Sequence, residues 1–239
     1  MSVSLYDQYT STCMLAEENP AEALKWGRVY FKKRILPHLP SARSARLLDC
    51  GCGYGRTLEA LRQLGYEHIR GVDISEEQVA YARKELGLSD VHCADGITFL
   101  RSNGDCYDVI LLLDVLEHLS VDDSVALLSA AKSRLAPNGV LIIQVPNALS
   151  PMNVYRDLDV THQRSYTTKS LAQSLRLSGW SQMSFFPLPP VPYGAGGWVR
   201  AVCWSLVLGP AIRLFMWMCH GRMVGRIFTG NVLAVVRAG

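Results

Sequence analysis

The 239 residues suffice for one substantial core, and the seven cysteines, odd in number and without a metal-ligand spacing, exclude a disulfide-stapled or cysteine-metal scaffold. The net charge is +3 but unevenly spread: the last acid is Asp159, and beyond it Arg164, Lys169, Arg176, Arg200, Arg213, Arg222, Arg226 and Arg237 stand unopposed. That imbalance points to an anionic partner for the C-terminal third, whether phosphate, nucleic acid or membrane. The N-terminus, interrupted by Asp7, Glu17 and Glu18, lacks a basic-then-apolar signal pattern, so the expected location is cytoplasmic.

In chain order, 1–40 contains a Tyr6-Asp7-Gln8-Tyr9 segment and a helix over 21–36. Residues 46–50 read as a buried strand, and 56–64 as a helix with Leu58, Leu61 and Leu64 on one face. Between them lies Asp49-Cys50-Gly51-Cys52-Gly53-Tyr54-Gly55, whose alternate glycines let the backbone turn sharply and approach a ligand closely. A second strand, 68–73, ends on Asp73, and Ser75 is placed to cap a helix over 76–86. A dinucleotide fingerprint would need its third glycine where Arg56 stands, and the leading Asp49 suits a cationic amino-acid tail better than a pyrophosphate.

The D-x-G-x-G-x-G stretch resembles motif I of the class I S-adenosylmethionine-dependent methyltransferases, and the resemblance continues to the 184 region. It implies a Rossmann-like, doubly wound α/β fold with a seven-stranded sheet whose last strand is antiparallel. The cofactor is then S-adenosylmethionine and the product S-adenosylhomocysteine. Carried over residue by residue, Asp49, Gly51, Gly53 and Gly55 hold the methionine and sugar part. Asp73, with Ile74 after it, takes the ribose hydroxyls, and Asp95 with Gly96 lies beside the adenine. Asp114 ends the fourth strand, over 107–113, and also lines the cofactor site. The turn Leu135-Ala136-Pro137-Asn138-Gly139 resembles the family's L-x-P-G-G, with Asn138 able to take a left-handed conformation. The strand after it covers 141–145, and 231–237 closes the sheet. Family members also carry N-terminal segments that close over the cofactor, a simple packing helix being the alternative.

The catalytic candidates are His118, His162 and Glu117. Asp114, Glu117 and His118 share a face if a helical turn starts at 114. Such a set can contact the acceptor directly, form a structural cluster, or hold magnesium, as the similar motif of ubiquinone-biosynthesis O-methyltransferases implies; no metal is assigned. His162 lies in Asp159-Val160-Thr161-His162-Gln163-Arg164-Ser165-Tyr166, with Arg164 and Tyr166 as substrate-binding candidates. The same loop can instead merely cap the helix over 170–177.

The partition expected is an N-terminal helical lid (1–40), a cofactor-binding core (41–186), a basic hydrophobic insertion (187–228) and a closing strand (229–239). Between Arg200 and Arg213 the charge-free run is only 12 residues, which argues against a membrane-spanning helix. Its tryptophans and arginines fit a buried helical hairpin, a lid, or peripheral membrane contact through 198–228. Nucleic acid is excluded, because the aromatics sit among Leu, Val, Ile and Met rather than on a polar face. A looser resemblance, to bacterial methyltransferases of surface-polysaccharide and glycolipid assembly, implies O-methylation of a glycan or lipid-linked hydroxyl at the inner membrane face. A lipophilic quinone and a non-catalytic cofactor-binding scaffold are the alternatives.

Overall fold

The computed structural model describes residues 20–102, 104–221 and 225–237. The expected Tyr6-to-Tyr9 segment lies outside them. The chain runs α1 (Pro20–Arg34), β1 (Arg46–Cys50), α2 (Arg56–Gln63), β2 (His68–Asp73), α3 (Glu76–Lys84), β3 (Val91–Cys93), α4 (Gly96–Ser102), β4 (Tyr107–Leu113), α5 (Val121–Ser133), β5 (Leu135–Pro146), α6 (Val154–Asp157), α7 (Thr168–Leu177) and β6 (Gln182–Pro187). It ends with α8 (Gly194–Cys203), a π turn (Trp204–Leu208), α9 (Gly209–His220) and β7 (Asn231–Arg237). The seven strands form one sheet in the order β3-β2-β1-β4-β5-β7-β6. β7 is antiparallel to both its neighbours, as expected of the fold.

The central strands are nearly continuous in Leu, Ile and Val because helices cover both faces of the sheet. Alternation along the strands sorts their side chains. Leu48, Ile110, Leu112, Leu141 and Ile143 join Leu100, Leu127, Leu128, Leu171 and Leu175 from α4, α5 and α7. Leu47, Val109, Leu111 and Ile142 point the other way, onto Phe31 of α1 and Ala60 and Leu61 of α2. Chain order reverses between β1 and β4, and in a doubly wound sheet the crevice beyond the strand ends at such a point is the ligand site.

Several local expectations hold for their stated reasons. The Ser75 side chain accepts a hydrogen bond from the Gln78 N–H, capping α3. Asn138 does adopt a left-handed φ of 64°. β5 begins earlier than the expected 141, because Leu135 already pairs with Tyr107 before a register shift.

One of the forms expected for the insertion is overturned. The insertion is not a hairpin: α8, the π turn and α9 form one continuous helix, Gly194–His220. Pro210 has no N–H and its ring crowds the carbonyl four residues back, which ordinarily breaks a helix. The π turn absorbs this, with the Gly209 N–H donating to the Trp204 carbonyl five residues back. At 27 residues, and with an 18-residue window of mean hydropathy 1.6, this helix is long and apolar enough to cross a membrane by length and composition, and only 6% of that window is buried. Arg200 and Arg213 interrupt the apolar composition without interrupting the helix.

Candidate active site

The β1–α2 loop is held from below. The N–H groups of Gly51 and Cys52 both donate to the Val72 carbonyl, at 2.8 and 3.1 Å. A side chain at Gly51 would collide with Val115, and a Cβ at Gly53 would stand 2.6 Å from Gln78 Oε1. Asp73 Oδ2 accepts the Gly53 N–H at 2.7 Å, and Oδ1 accepts that of Ser75 at 2.9 Å. Asp73 thus fixes the loop as well as facing the cleft, a role its position at the end of β2 did not reveal. Burial raises its pKa against the pull of these backbone donors.

The loop forms one end of a cleft of about 1110 Å³, in which Asp49, Gly51, Gly53, Asp73, Ile74, Asp95, Gly96 and Asp114 all take part. Gly55 opens α2 at a φ of 91°, just behind it. Asp49 is in want of a partner: it is 2% exposed, and its Oδ1 has no hydrogen-bond partner among the described residues. Burial, then the neighbouring Asp73, pushes its pKa well up. A cationic ammonium beside it removes that penalty, so the residues present fit the amino-acid end of S-adenosylmethionine. Asp95 is committed to local structure, its Oδ1 accepting from both the Thr98 N–H and Thr98 Oγ1 at 2.8 Å at the start of α4.

Beyond the loop, the segment after β4 does not form the expected α-turn. Asp114 takes a φ of 57°, and Leu116–His118 is a 3-10 turn. Asp114 Oδ2 accepts from Gln144 Nε2 at 2.7 Å, and Tyr30 of α1 donates to Gln144 Oε1. The group that converges is instead Glu117, His118 and His162, with one ligand atom from each lying within 4.8 Å of the others. The two imidazole centroids are 4.6 Å apart.

Hydrogen bonding fixes what these groups present. Thr161 Oγ1 lies 2.6 Å from Asp159 Oδ1, and a hydroxyl facing a carboxylate must donate its single proton there. The same oxygen therefore accepts from His118 Nδ1, 2.7 Å away, which puts the proton on Nδ1 and a lone pair on Nε2. His162 Nδ1 lies 2.9 Å from the Tyr155 carbonyl, which only accepts, so its Nε2 also carries a lone pair. Both Glu117 carboxylate oxygens are buried without hydrogen-bond partners among the described residues. Burial, reinforced by Asp114, pushes the Glu117 pKa well up, while burial and His162 hold His118 at about 4.

The two substrate-binding candidates do not reach this place. The chain after His162 folds back on β5, with the Tyr166 N–H donating to the Pro146 carbonyl. That turns Tyr166 into the core, 3% exposed, its hydroxyl 3.3 Å from Ser124 Oγ. Arg164 stays outside the cleft wall as well. The wall is made instead by Trp26, Tyr155, Leu158, the 188–191 segment, and Val199, Arg200, Cys203, Trp204 and Leu208 of the long helix. Thr161 was legible, since D-x-T is a turn-forming pattern. Tyr30 and Gln144 were not, because no local signal joins residues that far apart.

Residues 24–183 match the family model described as a methyltransferase domain. The chain belongs to this methyltransferase family. It is an S-adenosylmethionine-dependent enzyme of class I. Its fold is similar to that of an S-adenosylmethionine-dependent methyltransferase from Archaeoglobus fulgidus, with a TM-score of 0.65 at 21% identity, covering 90% of this chain and 94% of that one. A ubiquinone biosynthesis O-methyltransferase of Cereibacter sphaeroides is 33% identical over 105 residues, covering 43% of this chain and 41% of that protein. The human N-terminal Xaa-Pro-Lys N-methyltransferase 1 is 30% identical over 146 residues, covering 56% of this methyltransferase and 65% of its own length. The chain thus spans less than two thirds of the length of these last two relatives.

Proposed function

We propose that this methyltransferase O-methylates a hydroxyl on a lipophilic acceptor, working at the cytoplasmic face of a membrane. The observation that carries the reading is the convergence of Glu117, His118 and His162, in which the Nε2 atoms of both imidazoles are acceptors. A hydroxyl placed there has somewhere to send its proton. The cofactor, when bound, supplies a methyl group on a sulfonium sulfur, an activated leaving arrangement for in-line displacement. His118 Nε2 would take the hydroxyl proton as the methyl group passes from sulfur to oxygen, the products being S-adenosylhomocysteine, the methyl ether and an imidazolium. Thr161 and Asp159 hold the ring in the tautomer that makes Nε2 an acceptor. Glu117, beside it, stabilises the imidazolium.

The wall of Trp26, Leu158, Leu188, Val191, Val199 and Trp204 supports an apolar acceptor body, of which a quinol is the simplest form. Arg200 at the same wall supports the second form, a lipid-linked glycan whose phosphate it would meet. The test is a panel of long-chain quinols, polyprenyl-linked glycans and peptide amines incubated with the full chain and cofactor, followed by mass spectrometry. Methylation of a hydroxyl on one of the first two is expected, with His118→Ala losing about 100-fold or more in turnover while cofactor binding persists. Full turnover in both His118→Ala and His162→Ala overturns the assignment of the base. Cofactor binding with no product from any class favours a scaffold.

A further inference from the structure

The helix Gly194–His220 is amphipathic in the wrong sense for a water-facing surface helix. Its less exposed positions are Gly197, Ala201, Trp204, Gly209, Ile212 and Met216, a stripe at three- and four-residue spacing with the π turn taking up one extra residue. This stripe turns toward the body of the enzyme. At about 100° per residue, Arg200, Ser205, Arg213 and His220 fall along its two flanks. The opposite face carries Trp198, Val202, Leu206, Val207, Leu214, Phe215, Trp217 and Met218, each about half or more exposed, and no polar side chain. A surface helix on a soluble protein places its polar residues there.

We propose that this helix lies in the plane of an anionic lipid bilayer, its outer face in the acyl boundary and its arginines reaching back to the headgroups. Charge selects the occupant. No acid follows Asp159, Arg200 and Arg213 flank the apolar face, and Lys33 of α1 stands 5.9 Å from the Trp198 ring centroid, so the rim is basic. A crossing orientation would bury Arg200 and Arg213 in hydrocarbon and strip the helix from the cleft that it walls. Lying flat, it presents the Val199-to-Leu208 wall of the cleft to the bilayer, where a lipophilic acceptor resides. This deepens the acceptor reading above, but the test needs no acceptor and so can fail separately from it.

The test is flotation of the purified full chain with phosphatidylcholine vesicles, with and without phosphatidylglycerol. Vesicles containing phosphatidylglycerol should carry roughly ten-fold more protein. Leu206→Asp and Phe215→Asp should abolish flotation while cofactor binding by calorimetry is unchanged, and Arg213→Gln should remove only the preference for anionic lipid. Alkaline carbonate should release the bound protein. Wild-type protein that stays in the aqueous fraction with both vesicles overturns the proposal. Resistance to carbonate, meaning a crossing helix, overturns it, as does a stable soluble dimer that either Asp variant dissociates.

Discussion

At Thr161 a single hydroxyl decides which nitrogen of His118 is the base. Its proton is engaged by Asp159, so His118 has to donate to it. Thr161→Val removes that constraint without changing volume, and turnover should fall about 10- to 100-fold with cofactor affinity unchanged. Thr161→Ser should restore most of the loss, which a packing role for the methyl group would not predict. Because His118 titrates at about 4, it is already neutral at physiological pH, and its contribution to kcat/KM should stay level on acidification until pH nears that value. Glu117 makes the opposite bargain between stability and function. Its raised pKa means that above about 4.5 the folded state binds more protons than the unfolded one, so its contribution to stability falls as pH rises. Glu117→Gln removes the buried charge, and the introduced amide can donate to the imidazole lone pairs. The variant should be more stable at pH 8 by about 1–3 kcal/mol, several degrees in Tm, with the gain vanishing near pH 4.5. Its turnover should drop in the same preparation. Asp49→Asn tests the other end of the cleft: losing the charge beside the ammonium should weaken cofactor binding by roughly 10- to 100-fold in calorimetry.

Elements position these residues through contacts of very different range. The glycine loop, Asp73 and the cap at Ser75 were readable because each depends on neighbours a few residues away or on the regular βα repeat. The order of the strands followed from that repeat as well. The 3-10 turn at Leu116–His118 was not readable, because an α-turn and a 3-10 turn over three residues share one pattern, and what selects between them is Asp114 turning aside to Gln144. Tyr166 was misread for a related reason. A polar loop near the strand ends looks like a substrate loop, yet hydrogen bonding to Pro146 and Glu117 folds it onto the core. The role of α1 also escaped, since it rests on Tyr30 donating to Gln144, which in turn holds Asp114. Tyr30→Phe cuts that chain and leaves Gln144 Oε1 without its donor. It should cost about 1–2 kcal/mol by denaturant unfolding and loosen Asp114, lowering kcat more than cofactor affinity.

On the scale of the whole molecule, the segment that holds the long helix leaves the sheet at the end of β6 and rejoins it at the start of β7. Pro187 pairs with Val232 across that antiparallel edge, so the insertion leaves and rejoins the core at one place. Leu188 and Phe228 are buried at its base, and the Leu188 N–H donates to Thr229 Oγ1 at 3.0 Å, which closes the sheet beneath it. The glycine loop, Asp49 and the histidine pair all stand on elements outside the insertion. Replacing Gly194–His220 by a short Gly-Ser turn should therefore leave thermal stability within a few degrees and cofactor affinity within about three-fold, because adjacent chain ends make loop length a minor entropic term. Turnover should divide by acceptor. A truncated, water-soluble analogue needs only the trio around His118 and should still be methylated, whereas a long-chain acceptor loses the wall made by Val199, Trp204 and Leu208 and should be turned over at least ten-fold more slowly. Equal losses on both acceptors would mean that the helix shapes the catalytic end of the cleft rather than holding the tail.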